Sequence, residues 1–479
     1  MNKSGALLLS GLGLVAAGAN AASIDDEFGN RYELAGFAKV EWSTVGEAKK
    51  VIPDRLSAFT FDNRNALTLP AVGQTTPGPK SSKLTMHQLT FAISHEMDSA
   101  LALEARLTHR WRSSLRLGDF LTRTPDVDYK TGSDISEMDF YEKFVGISRP
   151  DLGALRIGTQ LSKTWSRSDS FSFPIGLSSQ WADSGAGFGI LPSAVRVTSP
   201  IFEDGSGKLS AELTVATNDL NTNNVVQDRA FVGTAPFSPD PTRPKLVELF
   251  FQYSRDKHLI ELTVQSASGA KQTSFGKSAL VGWIGDPDTA PTAPTKPRRA
   301  GKPSQSVVLL QGSYWPDTEN MLTWGVRRNR WSGSAPSCNW DFAPVGPKCL
   351  FGIDAGFNYG SAALDYRGFK AETRDVMLAW SHYQGPVTYS VGGVYFGKAK
   401  SDNPIEWGQS NSAFSLNLGI SRRVPELLKG MSVAAGLAID QFSRLGPAPL
   451  SMPGNSFLST NSLYDRRGYS LTLGTTVAF

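Results

Sequence analysis

The chain has 479 residues, 40% of them hydrophobic, 10% aromatic and only 19% charged, with 46 Gly, 28 Pro and a formal net charge of +4. So small a net charge gives no support to a nucleic-acid partner, and no run of 18 or more apolar residues lies beyond the first 22, which excludes membrane-spanning helices. Apolar residues dispersed through a charge-poor chain, interrupted every few positions by Gly or Pro and lacking a 3.6-residue period, mark a large all-β protein.

In chain order, residues 1–21 read as a secretory signal peptide. Lys3 is the basic start, Ala6 to Ala17 the apolar run and Ala19-Asn20-Ala21 a small-x-small cleavage site. The run is short and broken by Ser10, Gly11 and Gly13, which disfavours an anchor. A single mature domain is then expected over 22–479.

From there, segments of about ten residues place apolar side chains at every second position. In Leu101 to Arg112 the residues Leu101, Leu103, Ala105, Leu107, His109 and Trp111 alternate with Ala102, Glu104, Arg106, Thr108, Arg110 and Arg112. The period of two gives each strand one oily and one polar face. The pattern predicts strands at 32–44, 84–95, 101–112, 139–149, 153–163, 193–202, 208–217 and 245–255. The second half adds 259–268, 306–315, 321–331, 374–384, 387–397, 412–423, 431–443 and 466–479. These are sixteen strands, and their connections alternate strictly between long and short. Long ones follow Thr44, Arg112, Lys163, Thr217, Ser268, Trp331, Gly397 and Ser443.

An even number of antiparallel strands, short turns at one end and long loops at the other, describes a transmembrane antiparallel β-barrel. Lipid tolerates a sheet only when it is closed, because an open edge leaves backbone groups unpaired. With hydrocarbon outside, the polar face must look inward, and sixteen strands leave room for an aqueous lumen.

Alternation nominates the lining. Lys39, Arg106, Arg110, Arg112, Arg156, Arg196 and Arg327 are the basic candidates, and Glu104 is an acidic one. The three arginines of 101–112 are the best candidates for a basic wall, since each would cost about 2 to 4 kcal/mol facing lipid near the midplane. Trp42, Trp111, Trp324, Trp331, Trp380, Tyr469 and Phe479 fall mostly on lipid-facing phases and suit interfacial girdles. Cys338 and Cys349 lie eleven apart in a Pro/Gly/Ser-rich stretch and read as a disulfide stapling one loop of a secreted protein. His87, His95, His109, His258 and His382 form no triad or metal spacing, and no nucleophile elbow or phosphate loop is present. No metal and no cofactor are expected, and the chain is not read as an enzyme.

The sequence resembles the trimeric general porins of Gram-negative outer membranes. The likeness lies in Phe144-Val145-Gly146-Ile147-Ser148 through Leu152-Gly153-Ala154-Leu155-Arg156-Ile157-Gly158-Thr159-Gln160, in Ala194-Val195-Arg196-Val197-Thr198-Ser199-Pro200, and at the C-terminus. There Thr472, Gly474, Val477 and the terminal Phe479 are similar to the signal read by the barrel assembly machinery. The resemblance implies an inward-folded third external loop over 163–192 carrying Asp169 and Asp183, opposite a ladder of basic residues. One departure stands out: many members have Gly-Arg-Gln at the start of this loop, where this chain has Gly158-Thr159-Gln160. Strict alternation puts Arg156 on the opposite face from position 159. The resemblance further implies a homotrimer.

The function expected is passive diffusion of small hydrophilic solutes and ions across the outer membrane, with a modest anion preference. The partners implied are outer-membrane lipid, the permeating solutes and, during biogenesis, the assembly machinery. The alternatives are a substrate-specific uptake channel for small organic acids or sugars, suggested by long loops at 45–83, 269–305 and 332–373, and a non-channel adhesin or barrel enzyme. In the 286–303 segment, Lys296, Arg298, Arg299 and Lys302 suit either a solvated loop or a basic funnel for anions.

Overall fold

A computed structural model describes residues 22–26, 29–46, 81–97, 101–116, 142–167, 181, 190–205, 207–217, 245–268, 304–334, 338–339, 348–349, 369–398, 400–401, 412–442 and 467–479. In chain order the strands begin β1 (Ala22–Asp25), β2 (Asn30–Gly46), β3 (Ser81–Glu96), β4 (Ala102–Arg116), β5 (Glu142–Arg149) and β6 (Gly153–Leu161). A single-turn helix α1 (Lys163–Ser166) precedes β7 (Ile190–Thr198), β8 (Phe202–Asp204), β9 (Gly207–Thr217), β10 (Lys245–Arg255), β11 (His258–Ser268), β12 (Ser304–Tyr314) and β13 (Asn320–Ser334). The chain ends with β14 (Cys338–Asn339), β15 (Lys348–Cys349), β16 (Phe369–Gln384), β17 (Val387–Phe396), β18 (Lys400–Ser401), β19 (Ala413–Arg423), β20 (Met431–Phe442) and β21 (Arg467–Ala478).

Sixteen of these form the wall, each antiparallel to the next, and β21 closes the ring on β2 from Phe37↔Ala478 to Gly46↔Tyr469. Closure leaves the wall without an edge, which is what a lipid environment demands. The other strands are short additions. β1 pairs β2 below the closing seam, from Ala22↔Leu34 to Asp25↔Arg31. β8 and β18 continue β7 and β17 after interruptions, pairing β9 and β16. The stretch predicted as one strand at 193–202 divides at Pro200, whose missing N–H cannot join the ladder. Ser199 bridges the break, donating its N–H to Ala211 O at 2.8 Å and accepting Ala211 N–H on Oγ at 3.0 Å.

Each face is decided by alternation. Leu103, Leu107, Val145, Ile147, Leu155, Ile157, Val195, Val197, Leu213, Val247, Leu249, Phe251, Val308, Val326, Val376, Leu378, Leu418, Ile420, Leu471 and Leu473 are all exposed on the outside. On the alternate phase, Glu248, Gln252, Glu261, Thr263, Gln265, Gln311, Thr323, Arg327, Asn329 and Asp375 are buried inside. That inversion of the soluble-protein rule is the signature of a wall wetted by hydrocarbon. Trp42 and Trp380 are exposed on the outward phase as expected, whereas the side chains of Trp111, Trp331 and Tyr469 lie outside the described residues.

The inward face is not polar throughout. Leu259, Val307, Leu309, Met377, Ala379, Val394 and Phe396 form a buried cluster with Trp181, and Leu191, Ala194, Ala216, Leu246 and Ala267 form a second. Among the described residues, the apolar core therefore lies within the barrel, along the sector from β7 to β17.

A candidate channel and its charged wall

On β4, β5 and β6 the inward side chains form a charged strip. Arg156 Nε donates to Glu104 Oε1 at 2.6 Å and Nη2 to Oε2 at 3.5 Å, reaching across β5. Gly146 lies between them in register with both, and a Cβ there would stand 2.8 Å from Glu104 Oε1 and 3.0 Å from Arg156 Cγ. A Cβ at 146 would force the Glu104 or Arg156 side chain to shift. Arg106 and Arg156 both lie against the Phe144 ring, at 5.8 Å and 5.5 Å from its centroid, within the range of cation–π attraction. Thr108 meets Thr90 at 3.1 Å and donates to Glu142 at 3.2 Å. Arg106 is solvent-exposed and has no carboxylate partner among the described residues. On β2, Lys39 pairs with Glu41 two residues along the same face.

The next sector carries a denser network. At the start of the third long connection, Ser162 donates to Glu248 Oε2 at 2.8 Å and the Lys163 N–H to Glu248 Oε1 at 3.0 Å. Lys163 Nζ donates to Glu212 at 2.8 Å and stands 4.9 Å over Phe250. Arg167 reaches Glu261, which also accepts from Gln252 at 2.8 Å and Gln311 at 3.2 Å. Arg196 donates to Thr214 Oγ1 at 2.8 Å and the Leu161 carbonyl at 2.7 Å, with Glu212 and Glu248 at 3.5 Å and 3.7 Å. Three cations from β7 and the α1 segment thus meet three carboxylates from β9, β10 and β11. In a low-dielectric surround such a cluster persists only when its charges and donors are matched.

Farther round, Arg327 on β13 donates to Asp375 on β16 at 3.1 Å and 2.9 Å, and Asn329 donates to the same carboxylate at 2.7 Å. Arg327 Nη1 also donates to the Trp181 carbonyl at 2.8 Å, and its guanidinium lies 4.4 Å from the Trp181 ring centroid. Trp181 Nε1 donates to Gln311 Oε1 at 3.3 Å. The indole is wholly buried and covers Gly325, where a Cβ would stand 2.7 Å from the ring. A residue of the third long connection therefore seats against inward-facing side chains of β12, β13 and β16.

Of the residues nominated from sequence, Lys39, Glu104, Arg106, Arg156, Arg196 and Arg327 share the inward face, and all but Arg106 have ion-pair partners. The side chains of Arg110 and Arg112 lie outside the described residues, although their backbones pair with Gln88 and Met86. Asp169 and Asp183 also lie outside them. Alternation holds through Arg156, and a bulge follows: Leu191 to Ala194 spans three steps against two from Gly158 to Gln160, with Ser193 at φ 52°. Cys338 and Cys349 are direct partners in the β14–β15 ladder. Phe479 exchanges backbone bonds with Gly36 at 2.8 Å and 3.0 Å, so the terminal residue lies at the closing seam, as does the Thr472, Gly474 and Val477 stretch paired with β20 and β2.

Sequence reasoning missed Lys163, Arg167, Glu212, Glu248, Glu261 and Asp375. Glu248 and Gln252 share their phase with Leu246 and Phe250, so the inward face of β10 mixes polar with apolar residues and its polarity signal is weakened. The readable signal was the isolated charge in each otherwise apolar run.

Solved structures of outer-membrane proteins share this architecture. The loop L8 deletion mutant of OmpT, an outer membrane protein of Vibrio cholerae, superposes with a TM-score of 0.51 at 8% identity over 94% of this chain and 100% of that one. The anion-selective porin from Comamonas acidovorans gives 0.50 at 12% identity, again over 94% and 100%. No family model and no curated protein matches the sequence. The chain is a sixteen-stranded, closed antiparallel β-barrel, and its apolar outer face is that of a wall built for lipid.

Proposed function

We propose that the barrel is a porin, a water-filled channel through which small hydrophilic solutes diffuse passively. One observation carries this reading: the wall is apolar outside and ion-paired inside, and on β4 and β6 the inward charges Arg106, Glu104 and Arg156 remain open to water. A water column beside charged side chains sets which ions enter, and its width sets the size limit. The likeness in fold to an anion-selective porin supports the same reading. The test is planar-bilayer recording of the refolded protein: discrete conductance steps are expected, and a silent bilayer with intact β structure overturns the proposal.

The proposed selectivity is a modest anion preference centred on Arg106, the inward cation without a carboxylate partner among the described residues. The third long connection is proposed to fold inward and narrow the lumen. The burial of Trp181 against Arg327 and Gln311 and of the α1 segment against Glu248 supports that course. Permeation without catalysis is proposed because His258 and His382 serve as outward aromatic partners, stacked on Tyr314 at 4.7 Å and on Trp380 at 5.8 Å. A signal peptide ending at Ala21, a homotrimer, biogenesis through the assembly machinery and a Cys338–Cys349 disulfide complete the proposal.

A further inference from the structure

On the outward face of β13 and β16 the lipid-facing stripe ends in charge. Reading from the short-turn end, the cross-strand pairs are Leu322↔Trp380, Trp324↔Leu378 and Val326↔Val376, followed by Arg328↔Arg374 and Arg330↔Glu372. Lys400 on β18 pairs with Glu372 from the other side and is exposed. Arg328 donates to Glu372 through Nε at 2.8 Å and Nη2 at 2.7 Å, Arg330 Nε donates to it at 3.0 Å, and Arg374 Nε lies 3.5 Å away. One carboxylate thus answers three arginines, with Lys400 beside it in register. Arg328, Arg330 and Arg374 side chains are 42%, 55% and 72% exposed.

Two arginines directly opposite on one face repel, and an outward arginine near the bilayer midplane costs about 2 to 4 kcal/mol. The cost falls toward zero at the interface, so these residues belong at the upper edge of the apolar band, on the side of the long external connections. Each guanidinium offers five N–H donors in a fixed fork suited to phosphate oxygens, and most of those donors are not used by Glu372. The apolar stripe immediately below fixes the rest of the ligand, which must carry hydrocarbon beneath its anion.

We propose that Arg328, Arg330, Arg374 and Lys400 form a binding site for the phosphate of a phosphorylated glycolipid of the outer leaflet, with its acyl chains along Val326, Val376, Trp324 and Leu378. Glu372 competes with the ligand for the guanidiniums and limits their net charge. The site lies on the outer wall and is independent of permeation.

The test uses the refolded full chain in detergent, with native mass spectrometry of bound lipid. The probes are a diphosphorylated lipid A, the same lipid after enzymatic dephosphorylation, and inorganic phosphate. Expected results are at least tenfold weaker binding of the dephosphorylated lipid and a similar loss for Arg328→Gln combined with Arg374→Gln. Glu372→Gln, which removes the competing carboxylate, is expected to bind severalfold tighter. Heat-modifiable gel mobility establishes that the variants fold, and their conductance is expected to match the parent. Equal binding of both lipids, unchanged affinity in the double variant, or weaker binding in Glu372→Gln overturns the site. Phosphate alone binding as strongly as the lipid overturns the lipid as its ligand.

Discussion

At the scale of single residues, the inward arginines divide by whether a carboxylate answers them. Arg327 is buried and shares Asp375 with Asn329, so removing its charge leaves a buried carboxylate uncompensated, a change that costs about 3 to 5 kcal/mol. Arg327→Gln is therefore expected to lower the thermal unfolding midpoint of the refolded barrel, followed by β-sheet circular dichroism. Arg106 has no such partner among the described residues and is exposed to water. Arg106→Ser is expected to leave the midpoint unchanged while moving the reversal potential in a salt gradient toward cation preference; an unmoved potential removes Arg106 from the selectivity proposal. Trp181 makes a third case. Its indole is wholly buried on Gly325 and Arg327, and Trp→Ala at a packed site costs about 3 to 5 kcal/mol. If this contact seats the third long connection, Trp181→Ala raises single-channel conductance, and an unchanged step size argues against an inward fold there. Alternation alone brought Arg106, Arg156, Arg196 and Arg327 to the right face. It could not say which were neutralised, because Glu104, Glu212 and Asp375 come from other strands and pairing depends on register.

Among the elements, strands were the most legible feature, since a period of two survives even where one face mixes polar with apolar residues. Fifteen-residue strands such as β4 and β13 exceed their predicted bounds because they continue past the apolar band, where alternation no longer carries a hydrophobic signal. The interruption after Phe396 and the two-residue pair β14–β15 were illegible for a related reason: they depend on a partner strand rather than on local pattern. The opposed Cys338 and Cys349 yield a direct expectation. Nonreducing proteolysis should release a linked peptide pair that separates on reduction, and two free thiols would remove the staple. The β12–β13 turn is stabilised differently. Asp317 accepts the N–H groups of Glu319 and Asn320, each at 2.8 Å, and these bonds with the Asn320 amide hold its carboxyl below the ordinary value of 3.8. A depressed folded-state pKa adds stability above the unfolded pKa and loses it as pH falls through the folded one. Asp317→Ala should therefore lower the unfolding midpoint at neutral pH, with the gap closing as the parent's carboxyl is protonated in acid; a gap independent of pH would assign the effect to something other than charge.

For the whole molecule, the decisive fact is that, among the described residues, exposure on the inner wall is uneven. From β7 to β17 the inward residues are buried, both the apolar ones in two clusters and the ionic ones around Glu248 and Glu261. Arg106, Glu104 and Arg156 instead remain accessible on β4 and β6. A sixteen-stranded ring is wide enough for an aqueous lumen; under the proposed channel function, the buried sector would confine that lumen to one side and bring solutes against the β4–β6 strip. Composition could not foresee this, because Leu246, Val307 and Met377 look the same in sequence whether they face lipid or a packed interior. The proposal then predicts a size limit tighter than the strand number alone would give. In liposome swelling with graded sugars, the rate is expected to fall steeply with solute size. Opening the packed sector with Trp181→Ala should restore the larger sugars ahead of any change for the smallest. Small dicarboxylates should enter faster than neutral sugars of equal size, and Arg106→Ser should abolish that advantage. Equal rates for anions and sugars in the parent protein would leave a neutral sieve, with the β4–β6 strip serving to hold the wall together rather than to select.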